Sequence, residues 1–439
     1  MKTIIRTTTK HLMVFIAIIF VLLTLLVVTA LIPRENTHQK MLESAEYMNE
    51  KQSTFLIRDF LHASVIDHYA DCITLSIAYY LDEENPLESV MWASYYGAPS
   101  SRMNQFLLES MKSDAIPNHE YLRYWHGSAG VMRFMHLFWN IRQIYIFHYV
   151  LLAGLLLTLL VLLIRNGLVP EAVAFSLSMI VVSIWFVPLC LEYTWMFLVM
   201  LVASIIAVQM AFRCHYGSIS IFFMIVGMVA AYLDFLTTET LTLLIPLIFI
   251  LRIYRRQGGK GSWSIAVKGC MLWSIGYIGM WVLKWGIASV VLKENVMPYV
   301  MGHIGERLEG NVGRPIGNFA LAAIMRNLKC LFPYEYGISG AILVFAFIVS
   351  AVIVPVAMNK IRLRKTINWN MVLMLFLLGM VPFLRFAVMR NHSFIHFFFT
   401  HRALASTALA LCFIILELIE PVRKAVNPHG SDNPHAVSE

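Results

Sequence analysis

Apolar runs of about twenty residues recur along this chain, and that repetition leaves few folds open. The first covers 12–33, behind a basic segment with Lys2, Arg6 and Lys10. At about 1.5 Å per residue such a run is roughly 30 Å long, the thickness of a bilayer's hydrocarbon core. A helix satisfies its backbone polar groups from within, as hydrocarbon demands. Val28-Thr29-Ala30 is a passable signal-peptide cleavage site. The run nevertheless exceeds the usual h-region of about 7–15 residues, so it reads as a retained anchor. Further spans are expected near 143–164, 168–190, 194–212, 218–236, 238–254, 265–291, 337–358, 368–388 and 402–420. The expectation is an all-α polytopic membrane protein of about ten transmembrane helices. Composition agrees: 14% of the 439 residues are charged and 59% are apolar, where soluble domains average about a quarter charged.

The net charge of +8 therefore implies no nucleic acid. Much of it sits at helix ends, as membrane orientation requires. Arg213, then Arg252, Arg255, Arg256 and Lys260, then Lys360, Arg362, Arg364 and Lys365, then Arg423 and Lys424, fall on the side of the N-terminus. That side reads as cytoplasmic, with both termini inside, in a bacterial plasma membrane. The six cysteines are scattered without a C-x-x-C pair and read as reduced, packed thiols.

Four regions follow: 1–33, the cytoplasmic N-terminus and first span; 34–142, a long polar extracytoplasmic segment; 143–426, the helical domain; and 427–439, a disordered cytoplasmic tail. Within 34–142, residues 59–81 and 121–140 carry helical periodicity, the second with the aromatic content of an interfacial helix. Residues 293–335 contain Gly302, Gly305, Gly310, Gly313 and Gly317. They read either as a mobile lid over the outer face or as a plain connecting loop.

Several residues stand out chemically. Asp67 and Asp71 are four apart and share a helix face. Asp71 lies among Ala70, Cys72, Ile73 and Leu75, and a desolvated carboxylate can serve as a general base. The alternative is a pair of solvated surface acids. Arg123-Tyr124-Trp125-His126-Gly127 precedes the next span. It reads as interfacial anchoring or as donors for an anionic substrate. Lys284 lies between Trp281 and Trp285 inside a span; it either snorkels or binds a lipid phosphate. Asp234 is its counter-charge or a helix cap with Thr237 and Thr238. The densest cluster is Arg390-Asn391-His392-Ser393-Phe394-Ile395-His396 with Thr400-His401-Arg402, preceded by Arg385. His392 and His396 have zinc-ligand spacing, but the glutamate of H-E-x-x-H is missing. Phosphate capture by Arg390, His392, His396 and Arg402 fits better. The chain lacks G-x-x-x-x-G-K-[ST], G-x-G-x-x-G and G-x-S-x-G. No nucleotide domain is expected, and an activated substrate outside the cell would be lipid-linked.

A first span, a long outer loop with interfacial helices and then many spans resembles the GT-C superfamily of integral membrane glycosyltransferases. The segments 123–127, Asp234-Phe235-Leu236-Thr237, Met280 to Trp285 and Asn391 to Arg402 resemble a group of Gram-positive bacterial polytopic proteins near that superfamily. The resemblance implies a polyprenyl-phosphate sugar donor, membrane lipid around it and a cell-envelope glycan or glycolipid acceptor. It implies an essential acid in the first outer loop. Asp71 matches that role best and Asp67 second. The superfamily's acids are usually adjacent, whereas these stand four apart, and divalent-cation dependence stays open. Lys284, Arg390, His392, His396 and Arg402 would hold the donor phosphate, and Arg123, Tyr124, Trp125, His126 and Asp234 would contact substrate. Two other classes compete: a transporter or flippase lined by Lys284, Asp234, Glu192 and Arg385, and a non-catalytic membrane scaffold.

Overall fold

The computed structural model describes residues 2–97, 102–259, 262–309, 319–332, 346, 350, 352–358 and 360–421. It is mostly helical. Seven described segments are long and apolar enough to cross a membrane: Arg6–Ala30, Ile141–Arg165, Leu191–Phe212, Tyr216–Leu233, Ser262–Leu292, Trp369–Val388 and Phe397–Leu418. Two expected spans are shorter than a bilayer requires. That at 168–190 is a helix over Val169–Val181 followed by a 3-10 turn, Ile184–Leu189, containing Pro188. The break comes at Ser183, whose left-handed backbone, with φ of 56°, does not continue a right-handed helix. That at 238–254 is Leu241–Arg256, whose residues 241–253 are all buried. A helix apolar all round belongs to a core. The expected span at 337–358 falls largely outside the described residues, as do Gly310, Gly313, Gly317 and the 427–439 tail.

In chain order the helices are α1 (Lys2–Ala30), α2 (Arg34–Asn49), α3 (His68–Tyr80), α4 (Pro86–Trp92), α5 (Met103–Lys112), α6 (Gly127–Met135), α7 (Ile141–Arg165), α8 (Val169–Val181), α9 (Leu191–Phe212), α10 (Ile219–Leu233), α11 (Leu241–Arg256) and α12 (Ser262–Leu292). They continue with α13 (Met297–Glu309), α14 (Phe319–Leu328), α15 (Trp369–Val388), α16 (Arg390–Ile395), α17 (Phe397–Thr400) and α18 (Ala405–Leu418). Two small antiparallel pairs interrupt the all-α pattern. β1 (Thr54–Leu56) pairs with β2 (Val65–Asp67), with Thr54 opposite Asp67; β3 (Ile361–Leu363) pairs with β4 (Ile419–Pro421). The polar segment is thus a folded cap of five helices and a hairpin. The helix expected over 59–81 is confined to α3, because 54–67 form the hairpin, and that expected over 121–140 is confined to α6.

Buried polar contacts lock the cap to the bundle. Arg133 in α6 donates to Ala78 O and Tyr79 O, both at 3.0 Å, and to Ile32 O at 2.7 Å. It joins the C-terminus of α3 to the chain leaving α1. Glycines bring α10 and α12 together. A Cβ at Gly227 would collide with the Trp273 carbonyl, and one at Gly276 with that of Met224; small residues permit such close approach between membrane helices. At the opposite end of the bundle, Arg252 bonds Glu171 at 2.8 Å and also Glu417, tying α11 to α8 and α18.

Candidate functional site: a polar cavity joined to an apolar groove

The cap and the bundle enclose a cavity of about 730 Å³. Its acidic wall comes from the hairpin and α9. Asp67 ends β2 and caps α3. Its Oδ1 accepts hydrogen bonds from Tyr69 N (3.1 Å), Ala70 N (3.4 Å) and Thr54 Oγ1 (3.5 Å). No hydrogen bond involves Oδ2 among the described residues, which leaves that oxygen for a ligand. Burial, and then the neighbouring charge of Asp71, push the Asp67 carboxyl up to about 7. Glu192, in the first turn of α9, lines the same cavity, and its buried Oε2 has no partner among the described residues.

Two arginines line the same cavity. Arg123 lies 4.4 Å over the Tyr121 ring and donates to the Tyr121 hydroxyl at 3.0 Å. Arg307 stands on α13 with Nη1 3.4 Å from His396 Nε2. Neither guanidinium has a carboxylate within ion-pair distance among the described residues, and the Nε of each is buried without a partner. Two unneutralised guanidiniums on one cavity suit an anion with several oxygens. His392 and His396 line the cavity with their rings 4.7 Å apart. Burial holds His392 well below the usual histidine range and His396 down at about 3. Both are neutral at pH 7, so they offer hydrogen bonds rather than the positive charge expected of them. Among the described residues no group of three or more His, Cys, Asp or Glu is arranged to hold a metal ion.

A second space of about 210 Å³ shares Arg123, Tyr124, His303 and Arg307 with the first. The rest of its lining is apolar, with Tyr277, Ile278, Trp281 and Trp285 from α12 and Val300, Ile304 and Leu308 from α13. The geometry follows from helical spacing. In α13, Tyr299, His303 and Arg307 recur every four residues and face the polar cavity, while Val300, Ile304 and Leu308 share the adjacent face. The glycine-bearing loop at 293–335 thus contains an ordered amphipathic helix, with Gly302 and Gly305 inside it. Asn391 Nδ2 on Glu306 O (2.5 Å) and Arg390 Nε on Leu308 O (3.1 Å) pin its end.

Of the expected site residues, Asp67, Arg123, Tyr124, His392 and His396 line this cavity together. The other expected site residues do not. Asp71 is fully buried and lines neither space. Its carboxylate accepts Tyr145 Oη (2.6 Å), Leu191 N (3.0 Å), Glu192 N (3.3 Å) and Cys190 Sγ (3.3 Å). It closes the N-terminus of α9, and with four donors in place no substrate proton reaches it. Lys284 is likewise buried, its Nζ on Val90 O (2.8 Å) and Met91 O (3.0 Å) at the end of α4. Arg402 donates to Phe398 O and Ala63 O and lies over Tyr193, and Arg390 holds α13. Trp125 donates to Met280 O at 2.8 Å, and His126 bonds Tyr121 O at 2.8 Å from a left-handed backbone. Asp234 accepts from Thr237 N, Thr237 Oγ1 and Tyr277 Oη, the capping alternative. Arg385 pairs with Glu239 at 2.5 Å. Of the residues that would line a transport path, only Glu192 reaches either space.

Tyr299, His303 and Arg307 escaped sequence reasoning, although the alternation in Tyr299-Val300, His303-Ile304 and Arg307-Leu308 would have revealed a two-faced helix. Comparison of the chain with protein-family models, curated proteins and solved structures finds no match.

Proposed function

We propose that this protein is a membrane glycosyltransferase that moves a sugar from a polyprenyl-phosphate donor to a cell-envelope glycan or glycolipid. One observation carries the reading: two guanidiniums without a counter-ion among the described residues sit where a polar cavity meets an apolar groove on a membrane-length helix. A molecule with a phosphate between a sugar and a long apolar chain matches that sequence of environments. Arg123 and Arg307 hold the phosphate, the groove along α12 takes the first part of the chain, and the sugar extends toward Asp67. The basic residues at the other end of the bundle support a cytoplasmic assignment for that end and an extracytoplasmic one for the cavity.

Asp67 Oδ2 takes the proton of the acceptor hydroxyl, whose oxygen forms a bond to the anomeric carbon. The bond from that carbon to the phosphate oxygen breaks, and the electron pair leaves on the lipid phosphate. The fixed charges of Arg123 and Arg307 stabilise it, and alignment of the two reactants supplies much of the remaining rate. A single displacement inverts the anomeric configuration.

The test is a reaction in lipid nanodiscs with a panel of polyprenyl-phosphate sugars and membrane glycolipid acceptors, following release of polyprenyl phosphate. Turnover by the wild type and none by Asp67→Asn is the expected result, because asparagine keeps the α3 cap and loses the base. Undiminished turnover by Asp67→Asn removes Asp67 from the mechanism.

A further inference from the structure

The hairpin that carries Asp67 ends in an exposed apolar tip. Phe60 is 96% exposed and Ile57 50% exposed. The Phe60 backbone is left-handed, with φ of 65°, a conformation that a bulky side chain rarely adopts. The loop is closely tied. Ser64 Oγ accepts from Arg58 N at 3.1 Å and donates to Leu61 O at 2.8 Å, while Ile57 N donates to Ser64 O and Leu61 N to Arg58 O. The fold therefore presents the ring outward through a closed set of hydrogen bonds. The residues that follow it fix where the loop sits. The His62 ring packs edge-on against Phe397 at 5.1 Å, and Arg402 Nη2 holds Ala63 O at 3.1 Å. Phe397 opens the apolar segment Phe397–Leu418, so the tip lies level with the end of a membrane-length helix.

We infer that Phe60 and Ile57 insert into the lipid surface at the cavity end of the bundle. Aromatic and aliphatic side chains at the headgroup boundary bury apolar area there. Because Thr54 pairs with Asp67 at the base of the same hairpin, the inserted tip ties the cavity carboxylate to a fixed depth. This inference stands whether or not the protein transfers sugar.

The test places a nitroxide at Phe60→Cys in full-length protein. Exposed Cys214 and half-exposed Cys270 and Cys412 are replaced by serine. In phosphatidylglycerol nanodiscs, collision with oxygen is compared with collision with a water-soluble nickel chelate. The label at position 60 is expected to favour oxygen several-fold more than a label at Glu84→Cys, in the exposed polar turn before α4. Ile57→Cys gives the same measurement should Phe60→Cys fail to fold. Nickel access at 60 or 57 equal to that at Glu84→Cys overturns the inference.

Discussion

Replacing Asp71 with alanine should unfold the junction between cap and bundle rather than silence a catalytic step. The substitution strands Leu191 N and Glu192 N, which have no other partner among the described residues, and leaves a third donor, Tyr145 Oη, only a 4.0 Å contact with Met48 Sδ. A buried donor left unsatisfied costs about 1–3 kcal/mol, and the low end applies where water can enter the space left behind. At about 1 kcal/mol for each of the three, the loss is about 3 kcal/mol. Burial pushes the Asp71 carboxyl up to about 6, so its ionisation at neutral pH opposes stability. The raised value means that its contribution is complete below the ordinary carboxylate range and fades as pH rises through about 6. The donors limit that loss. Asp71→Asn relieves the charge but turns an amide N–H toward groups that also donate, and should fall between alanine and wild type. Thermal unfolding in nanodiscs, with the monodisperse fraction after heating as a second readout, measures both. Asp71→Ala with wild-type stability and abolished sugar transfer would refute this assignment and return Asp71 to the chemistry.

Other outcomes follow from the same contacts. Transfer should rise as pH passes through about 7, because only ionised Asp67 accepts a proton. The Asp67 contribution to stability runs the other way, falling between the ordinary carboxylate range and about 7, so opposite pH trends for rate and melting are expected. Lys284→Met should cost about 2 kcal/mol by stranding the end of α4 while leaving polyprenyl-phosphate binding unchanged; lost binding at unchanged stability would make Lys284 a ligand after all. Arg252→Met should cost about 3–5 kcal/mol because it leaves Glu417 buried without its cation and Glu171 with only Arg256, at 3.6 Å. Replacing all three by apolar residues should restore most of that loss in the same unfolding assay.

The apolar runs made most of the helical architecture legible, because hydrocarbon permits only self-satisfied backbone and the required length is fixed. Helix ends were harder. The left-handed backbone of Ser183 ends the segment after α8, and α11 is short because the turn from Asp234 to Thr240, held by Arg385, precedes it. α2 carries polar residues on most sides and owes its buried face to Thr37, Met41, Ser44, Ala45 and Met48, a weak periodic signal. At the site, the sequence singled out Asp67, Arg123 and the 392–396 histidines, which line the cavity. It could not separate Asp67 from Asp71, since the donors that occupy Asp71 arrive from residues 145 and 190–192. Lys284 misled for the same reason. A lysine between tryptophans looks unpaired until the carbonyls of Val90 and Met91 fold against it.

The most direct test of the central claim is polyprenyl-phosphate binding in nanodiscs, measured by native mass spectrometry against the matching polyprenol. The wild type should retain the phosphate-bearing lipid and not the alcohol. At about 1.5 kcal/mol for each charge-assisted contact, Arg123→Gln with Arg307→Gln should weaken binding by about 3 kcal/mol, roughly a hundredfold. Equal retention of both lipids, or undiminished binding by the double variant, would contradict the account.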